Sequence, residues 1–189
     1  VHPNIGIVGR LRTGKDTIAG YLTRERGYAR VALADPLRAL ALKLDPIVSD
    51  GSVRLSAVVD RIGWEQAKDT VPEVRRTLQR LGTDVIRHGI APDTWVSLAV
   101  AQITRHNAEG RPVVIPDVRF PNEVRGLAEL VDAEMWRVTR ASAPKTTTHE
   151  SESHADTLPV TRTIANDGEV SDLFRAVDSV LIPEKVGAL

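Results

Sequence analysis

An α/β domain with a mainly parallel sheet is what this sequence predicts, and three observations predict it. Short runs rich in Val and Ile alternate with longer segments whose apolar residues recur every three or four positions. The run Pro112–Pro116 is β-branched and suited to a strand buried in a parallel sheet. A loop with a glycine at each end, Gly9 and Gly14, joins the first run to the first amphipathic segment. The 189 residues suffice for one domain with a sizeable core, and 42% apolar against 26% charged is a globular balance.

Taken in order, Ile5-Gly6-Ile7-Val8 is the first strand, and the pattern of Ile18, Tyr21 and Leu22 starts the first helix. Residues 30–34 read as a second strand, ending at Asp35-Pro36. Leu37, Leu40, Ala41 and Leu44 then fall at helical spacing. Residues 45–72 hold Pro46, Ser49-Asp50-Gly51-Ser52 and Gly63-Trp64 and read as a loose helical insertion. Val74, Leu78, Leu81 and Val85 resume a helical stripe, and residues 95–106 form another helix whose mixed faces make it a candidate homodimer interface. Pro112–Pro116 is a β-branched run, 122–131 a helix, 134–139 an alternating strand and 161–165 an edge strand. Residues 140–160, polar and poor in large apolar groups, have the composition of a surface loop or lid. Val170, Leu173, Phe174, Val177 and Leu181 make an amphipathic last helix.

Several function classes are excluded at this stage. Basic and acidic residues balance, 25 against 25, which argues against a protein whose main task is coating nucleic acid. There is no cysteine, hence no disulfide and no thiolate metal site. No run approaches the roughly 20 apolar residues of a membrane span, and the start of the chain lacks a signal-peptide pattern, so a cytoplasmic location is expected. His149-Glu150-Ser151-Glu152-Ser153-His154 is not a zinc signature, because four residues rather than three separate the histidines.

The chemistry points to phosphate. G-R-L-R-T-G-K-D-T at residues 9–17 places glycines where successive N–H groups can turn inward toward phosphate oxygens, at the positive end of a helix. Lys15 would reach the outer phosphates of a nucleotide. The next position, usually Ser or Thr for Mg²⁺, is Asp16, with Thr17 after it. A carboxylate there can hold Mg²⁺ or repel phosphate, and Arg10 and Arg12 would offset its charge. Asp117 closes the apolar run 113–116, where an acid either caps a helix or orients a metal ion and its water. Arg76, Arg80 and Arg87, spaced by four and seven, would share one helix face. Arg119, Arg137 and Arg140 stand at the ends of strands, and guanidinium forks suit phosphate.

The motifs run in order along nearly the whole chain: the glycine loop, A-D-P-L-R at 34–38, L-Q-R-L-G-T-D at 78–84, D-T-W at 93–95, D-V-R-F-P-N-E at 117–123 and N-D-G at 166–168. In these the chain resembles the bacteriophage deoxynucleoside monophosphate kinases, whose loops are similar in carrying G-K-D. The resemblance implies a single three-layer α/β/α phosphate-loop kinase domain over 1–189, with a helical monophosphate-binding insertion at about 36–72 and a small lid at about 140–160. It implies ATP and Mg²⁺, with Gly9, Arg12, Thr13, Gly14, Lys15, Asp16 and Thr17 on the triphosphate, and Asn166 and Gly168 near adenine. Arg38, Arg76, Gln79, Gly82, Thr83 and Trp95 would line the monophosphate side. Lys15, Arg119 and Arg140 would be the catalytic cations, and Asp16, Thr17 and Asp117 would serve the metal. Trp95 has two readings, a face for a base or a core anchor, and Trp64 is a further candidate. A viral origin, acting in a host cytoplasm, is implied only by this resemblance.

The expected reaction is ATP-dependent phosphorylation of deoxynucleoside monophosphates. The alternatives are a kinase for another phosphorylated metabolite, of the phosphomevalonate or dephospho-coenzyme A kind, and a nucleotide-dependent switch. Against the switch, the chain has no N-K-x-D element for reading guanine.

Overall fold

Residues 4–8 form the central strand, and the rest of the sheet is laid beside it. The structure is a computed structural model that describes residues 2–49, 51–143 and 154–181 of the 189. Strands β1 (Asn4–Val8), β2 (Ala29–Arg30), β5 (Val113–Ile115), β6 (Ala133–Thr139) and β7 (Arg162–Ala165) make one parallel sheet in the order β2-β5-β1-β6-β7. All five residues of β1 and all three of β5 are buried, as strands with helices on both faces must be.

The described chain folds as two compact units, Val1–Ala32 with Ala99–Leu189, and Leu33–Leu98. The first unit holds the sheet. On one face Ile5, Ile7, Val114, Trp136 and Val138 pack with Ile18 and Leu22 of helix α1 (Lys15–Glu25) and with Leu173 and Val177 of the last helix, α7 (Val170–Leu181). The other face takes α6 (Pro121–Val131), with Val124 and Leu127 buried. This gives the unit its α/β/α layering. There Gly6 leaves room for Met135, since a Cβ at Gly6 would lie 2.6 Å from the Met135 sulfur. Trp136, 1% exposed, is the largest fully buried side chain.

The second unit has its own core, Ala41, Val48, Leu55, Val58, Ala67 and Val74. It is built from α2 (Ala34–Leu44), the hairpin β3 (Ile47–Ser49) and β4 (Val53–Arg54), α3 (Leu55–Thr70) and α4 (Pro72–Gln79). A π-helical segment, Arg80–His88, follows, and α5 (Thr94–Ala108) begins here and carries the chain back into the first unit. The insertion expected at 36–72 lies inside this unit, which runs on to Leu98.

Three expectations need correction. The second strand is Ala29–Arg30 rather than 30–34, although Val31 N–H still donates to the Val114 carbonyl. Helix α2 starts at Ala34 instead, because Pro36 fits a first helical turn, where its missing N–H costs nothing. Residues 45–72 are not loosely helical throughout. They open with the β3–β4 hairpin, whose signal was the Asp-Gly pair at 50–51, and Gly51 takes φ 76°. The three-arginine face also fails. Beyond Gln79 the backbone is π-helical and turns less per residue, so seven steps no longer return to the same side. Arg87 is buried, donating to the Pro92 carbonyl at 3.3 Å, while Arg76 is exposed and paired with Glu73.

Candidate active site

Between β1 and α1 the chain turns on two glycines. A Cβ at Gly9 would meet the Val138 carbonyl at 2.5 Å, so only glycine lets the loop pass that close to β6. Gly14 stands immediately before the first turn of α1 with φ 102°, a left-handed conformation that disfavours any side chain. Arg12 is also left-handed, φ 63°. Thr13, 2% exposed, closes the loop by donating its hydroxyl to the Arg10 carbonyl at 2.9 Å. Lys15 opens the helix, and its ammonium donates to the Gly9 and Arg10 carbonyls at 2.7 and 2.6 Å, holding the charge inside the loop. Gly14, at the N-cap position, has no side chain with which to cap the helix, and Asp16 and Thr17 are exposed in its first turn. A helix start of this kind presents its first-turn amides where an anion can be received.

The N-D-G turn after β7 braces this loop. The Asn166 side-chain amide donates to the Thr13 carbonyl at 2.8 Å, and a Cβ on Gly14 would sit 2.4 Å from that nitrogen. Asp167 accepts from the backbone N–H of Ala141 at 2.6 Å, fixing the residue after Arg140. A Cβ on Gly168 would lie 2.6 Å from the Asp172 carboxylate, which itself takes the Glu169 N–H at the start of α7. Sequence reading placed Asn166 and Gly168 beside a nucleotide base. It missed Asp167, whose place within the N-D-G run was the available signal.

Beside the loop lies a cleft of about 300 Å³, lined by Gly9, Arg10 and Thr13 and by Arg137, Arg140 and Asp156 among others. That is the lower end of the range for small-molecule sites. Arg140 is exposed at its rim. Arg137 donates to the carbonyls of Ala155 and Leu158 and so anchors the chain returning at 154–158. Arg10 forms an ion pair with Asp156, with Nε 3.0 Å from both carboxylate oxygens. The Arg10 hydrogen bond holds the Asp156 carboxyl below its ordinary value. Of the expected lid, 144–153 lie outside the described residues, as do His149, Glu150, Ser151, Glu152 and Ser153 of the rejected zinc pattern.

Asp117 and Arg119 follow β5 and are half-buried. Their turn is held by Glu123, 3% exposed, whose carboxylate accepts from the N–H groups of Arg119 at 2.8 Å and Phe120 at 3.1 Å. Glu123 is the second residue that sequence reading left without a role. An acid three positions into a helix after an exposed Pro is a capping signal that was available in D-V-R-F-P-N-E.

In the second unit, Trp95 is buried at 7% exposure, and its indole N–H donates to the Gly82 carbonyl at 3.1 Å. This packing is what the core-anchor reading describes, and the base-facing reading is left to the acceptor side proposed below. Gly82 and Thr83 are buried in the π segment, where a Cβ on Gly82 would come 2.8 Å from Leu37. Gln79 ends α4, half-buried. Arg38 of α2 lies over the ring of Trp64, 5.7 Å from its centroid, and donates to Glu65 at 2.9 Å.

A strand that runs through a two-glycine loop into a helix opened by lysine, set at the middle of a parallel α/β/α sheet, defines a phosphate-loop protein of the kinase type. The chain belongs to the deoxynucleotide monophosphate kinase family, whose sequence profile matches residues 56–177, more than half of its length. It is 29% identical over 163 residues to a protein of Acanthamoeba polyphaga mimivirus provisionally named a deoxynucleotide monophosphate kinase, covering 78% of this chain and 79% of that one. It is 29% identical over 109 residues to the deoxynucleotide monophosphate kinase of Enterobacteria phage T4, covering 57% of this chain and 45% of that protein, less than half its length. Among solved structures, dephospho-CoA kinase from Campylobacter jejuni superimposes with a TM-score of 0.48 at 11% identity, over 94% of this chain and 96% of the other.

Proposed function

We propose that this chain phosphorylates deoxynucleoside 5′-monophosphates with ATP as donor. The family match over residues 56–177 carries the reading. The loop at 9–17 lies ahead of that stretch, so the donor assignment draws its support from the loop's own geometry. In the reaction the bond from the terminal phosphorus of ATP to its bridging oxygen breaks. A new bond forms to a phosphate oxygen of the acceptor, leaving ADP and a deoxynucleoside diphosphate. The acceptor oxygen is already anionic, so no general base is needed, and catalysis is positioning plus charge stabilisation.

Lys15 and the first-turn amides of α1 are the groups assigned to the donor phosphates. The Lys15 ammonium exchanges its carbonyl partners for phosphate oxygens. Arg140, on the cleft rim, and Arg119, on the Glu123-held turn, supply positive charge to the transferring group. Arg38 and its neighbours serve the acceptor. Mg²⁺ takes oxygen ligands, usually one or two carboxylates completed by substrate phosphates and water. Asp16, Thr17 and Asp117 are donors of that kind and would hold the ion. When bound, Mg²⁺ neutralises charge on the phosphate oxygens.

The test is ADP release from ATP and Mg²⁺ with dAMP, dGMP, dTMP and dCMP and their ribose counterparts. Turnover with deoxy acceptors well above the acceptor-free rate is the expected result. No turnover with any of them would overturn the reading.

A further inference from the structure

Three arginines line the cleft beside the phosphate loop, and two of them are engaged by the protein. Arg10 is paired with Asp156, and Arg137 donates to the carbonyls of Ala155 and Leu158. Arg140, the third, is exposed at the rim, and its side chain has no hydrogen bond or ion pair among the described residues. Its backbone is held much more closely. The Arg140 carbonyl accepts from the Ala143 N–H at 3.0 Å, and the Thr139 carbonyl before it accepts from the Asn166 N–H at 2.8 Å. After it, the Ala141 N–H donates to the Asp167 carboxylate at 2.6 Å.

Arg140 stands where the sheet stops. Pairing of β6 with β7 ends at Thr139 opposite Ala165, so no ladder bond orders the chain beyond that point. Asp167 takes over there, reaching back from the turn after β7. A carboxylate that accepts from a backbone N–H makes a charge-assisted bond, roughly twice as strong as a neutral one. The neighbouring residue of the same turn holds the phosphate loop, since the Asn166 side-chain amide donates to the Thr13 carbonyl. The far side of the turn is anchored too, because Asp172 takes the Glu169 N–H as α7 begins. Two consecutive residues, Asn166 and Asp167, thus set the spacing between the phosphate loop and the backbone of Arg140.

We propose that Asp167 is a positioning residue for Arg140: through the Ala141 N–H it fixes the backbone from which Arg140 reaches the transferring phosphoryl group. The proposal rests on the kinase reading above and deepens it with a residue to which that reading gives no role. In this role Asp167 touches neither nucleotide, so it governs rate rather than affinity. Stabilisation of a transferring group depends steeply on position, and a misplacement of about 1 Å can cost about a hundredfold in rate. Releasing the Ala141 N–H leaves the guanidinium present but lets its backbone wander.

The experiment compares Asp167→Ala, Asp167→Asn, Arg140→Ala and the combination of Asp167→Ala with Arg140→Ala, all in the whole chain. Hydrogen exchange at the Ala141 amide, followed by NMR, reads the clamp without turnover. It should quicken about tenfold in Asp167→Ala and stay near wild type in Asp167→Asn, which keeps an acceptor oxygen. In Asp167→Ala, kcat should fall about tenfold with both KM values unchanged, and Asp167→Asn should restore most of it. Once Arg140 is alanine, Asp167→Ala should change kcat by less than about twofold, because the two act as a unit. An equal loss of kcat with and without Arg140, a raised KM in place of a lowered kcat, an unchanged Ala141 exchange rate, or no rescue by asparagine would each overturn the role. No wild-type turnover with any acceptor overturns the kinase reading and this role with it, whereas failed variants of an active wild type overturn the role alone.

Discussion

The side-chain amide of Asn166 donates to the backbone carbonyl of Thr13 across 2.8 Å, and this one bond ties the turn after β7 to the phosphate loop. Asn166 is 8% exposed and Thr13 is 2% exposed, so neither partner has water as a ready substitute. Asn166→Ala leaves that carbonyl buried without its partner and frees the loop to relax. The expected outcome is a rise in KM for ATP of about tenfold, equivalent to about 1.4 kcal/mol, with the acceptor KM unchanged. Steady-state kinetics varying one substrate at a time checks it. An unchanged KM for ATP would show that the loop holds its shape without the brace.

Lys15 is bonded into the loop that precedes its helix. Its ammonium donates to two carbonyls of the loop it serves, those of Gly9 and Arg10. Lys15→Ala removes the charge but leaves Gly9, Gly14 and the Thr13 hydroxyl bond in place. Turnover is expected to fall at least about a hundredfold, the scale of losing one preorganised charge-stabilising donor, with an unaltered near-UV circular dichroism spectrum. Turnover within a few-fold of wild type would remove Lys15 from the donor site.

How much of this was legible in the sequence depends on the range of the signal. The parallel sheet was, because β1 and β5 are apolar runs that announce burial on both faces, and the alternating run of β6 lies beside them. The two-glycine loop was as well, since its geometry depends on local backbone sterics. Non-local partners were not legible. Nothing near Asn166 says that its amide reaches back 153 residues to Thr13, and nothing near Asp167 says that it fixes Ala141. The arginine face failed for a different reason. Spacing arguments assume 3.6 residues per turn, and the backbone of Arg80–His88 does not keep that period. Trp95 looks the same in a sequence whether it stacks on a base or packs in a core. What the fold adds is its burial and its bond to Gly82.

Asp178 gives a pH signature remote from the chemistry. On α7 it accepts from the Tyr21 hydroxyl at 2.6 Å and from Arg26 at 2.7 and 2.9 Å, joining α7 to α1, while Tyr21 stacks on Phe174. The Arg26 hydrogen bond, ahead of that from Tyr21, holds the Asp178 carboxyl below its ordinary value. A carboxyl depressed in the folded state adds stability that is complete above its unfolded pKa, about 3.9, and is lost as pH falls through the folded value. Asp178→Asn should therefore lower Tm at pH 7, and the deficit against wild type should shrink as pH drops below about 4. Thermal melts of both proteins from pH 3 to 7 check this. A deficit that stays constant across the range would mean the charge of Asp178 contributes nothing.

Glu123 is the last case, and here geometry and chemistry are tested together. Its carboxylate accepts from the N–H groups of Arg119 and Phe120, and at 3% exposure it has almost no water around it. Those bonds fix the turn that carries Asp117 and Arg119 at the end of β5. Glu123→Ala strands two donors and is expected to cost about 1–3 kcal/mol of stability, read by urea unfolding. It should also lower kcat more than it raises either KM, because the groups on the turn are those proposed to act on the transferring phosphate. Glu123→Gln keeps an oxygen at the same reach and should restore most of both losses. If the glutamine variant recovers stability but not kcat, the turn needs the negative charge as well as the hydrogen bonds. If alanine leaves kcat intact, Asp117 and Arg119 do not work from this turn.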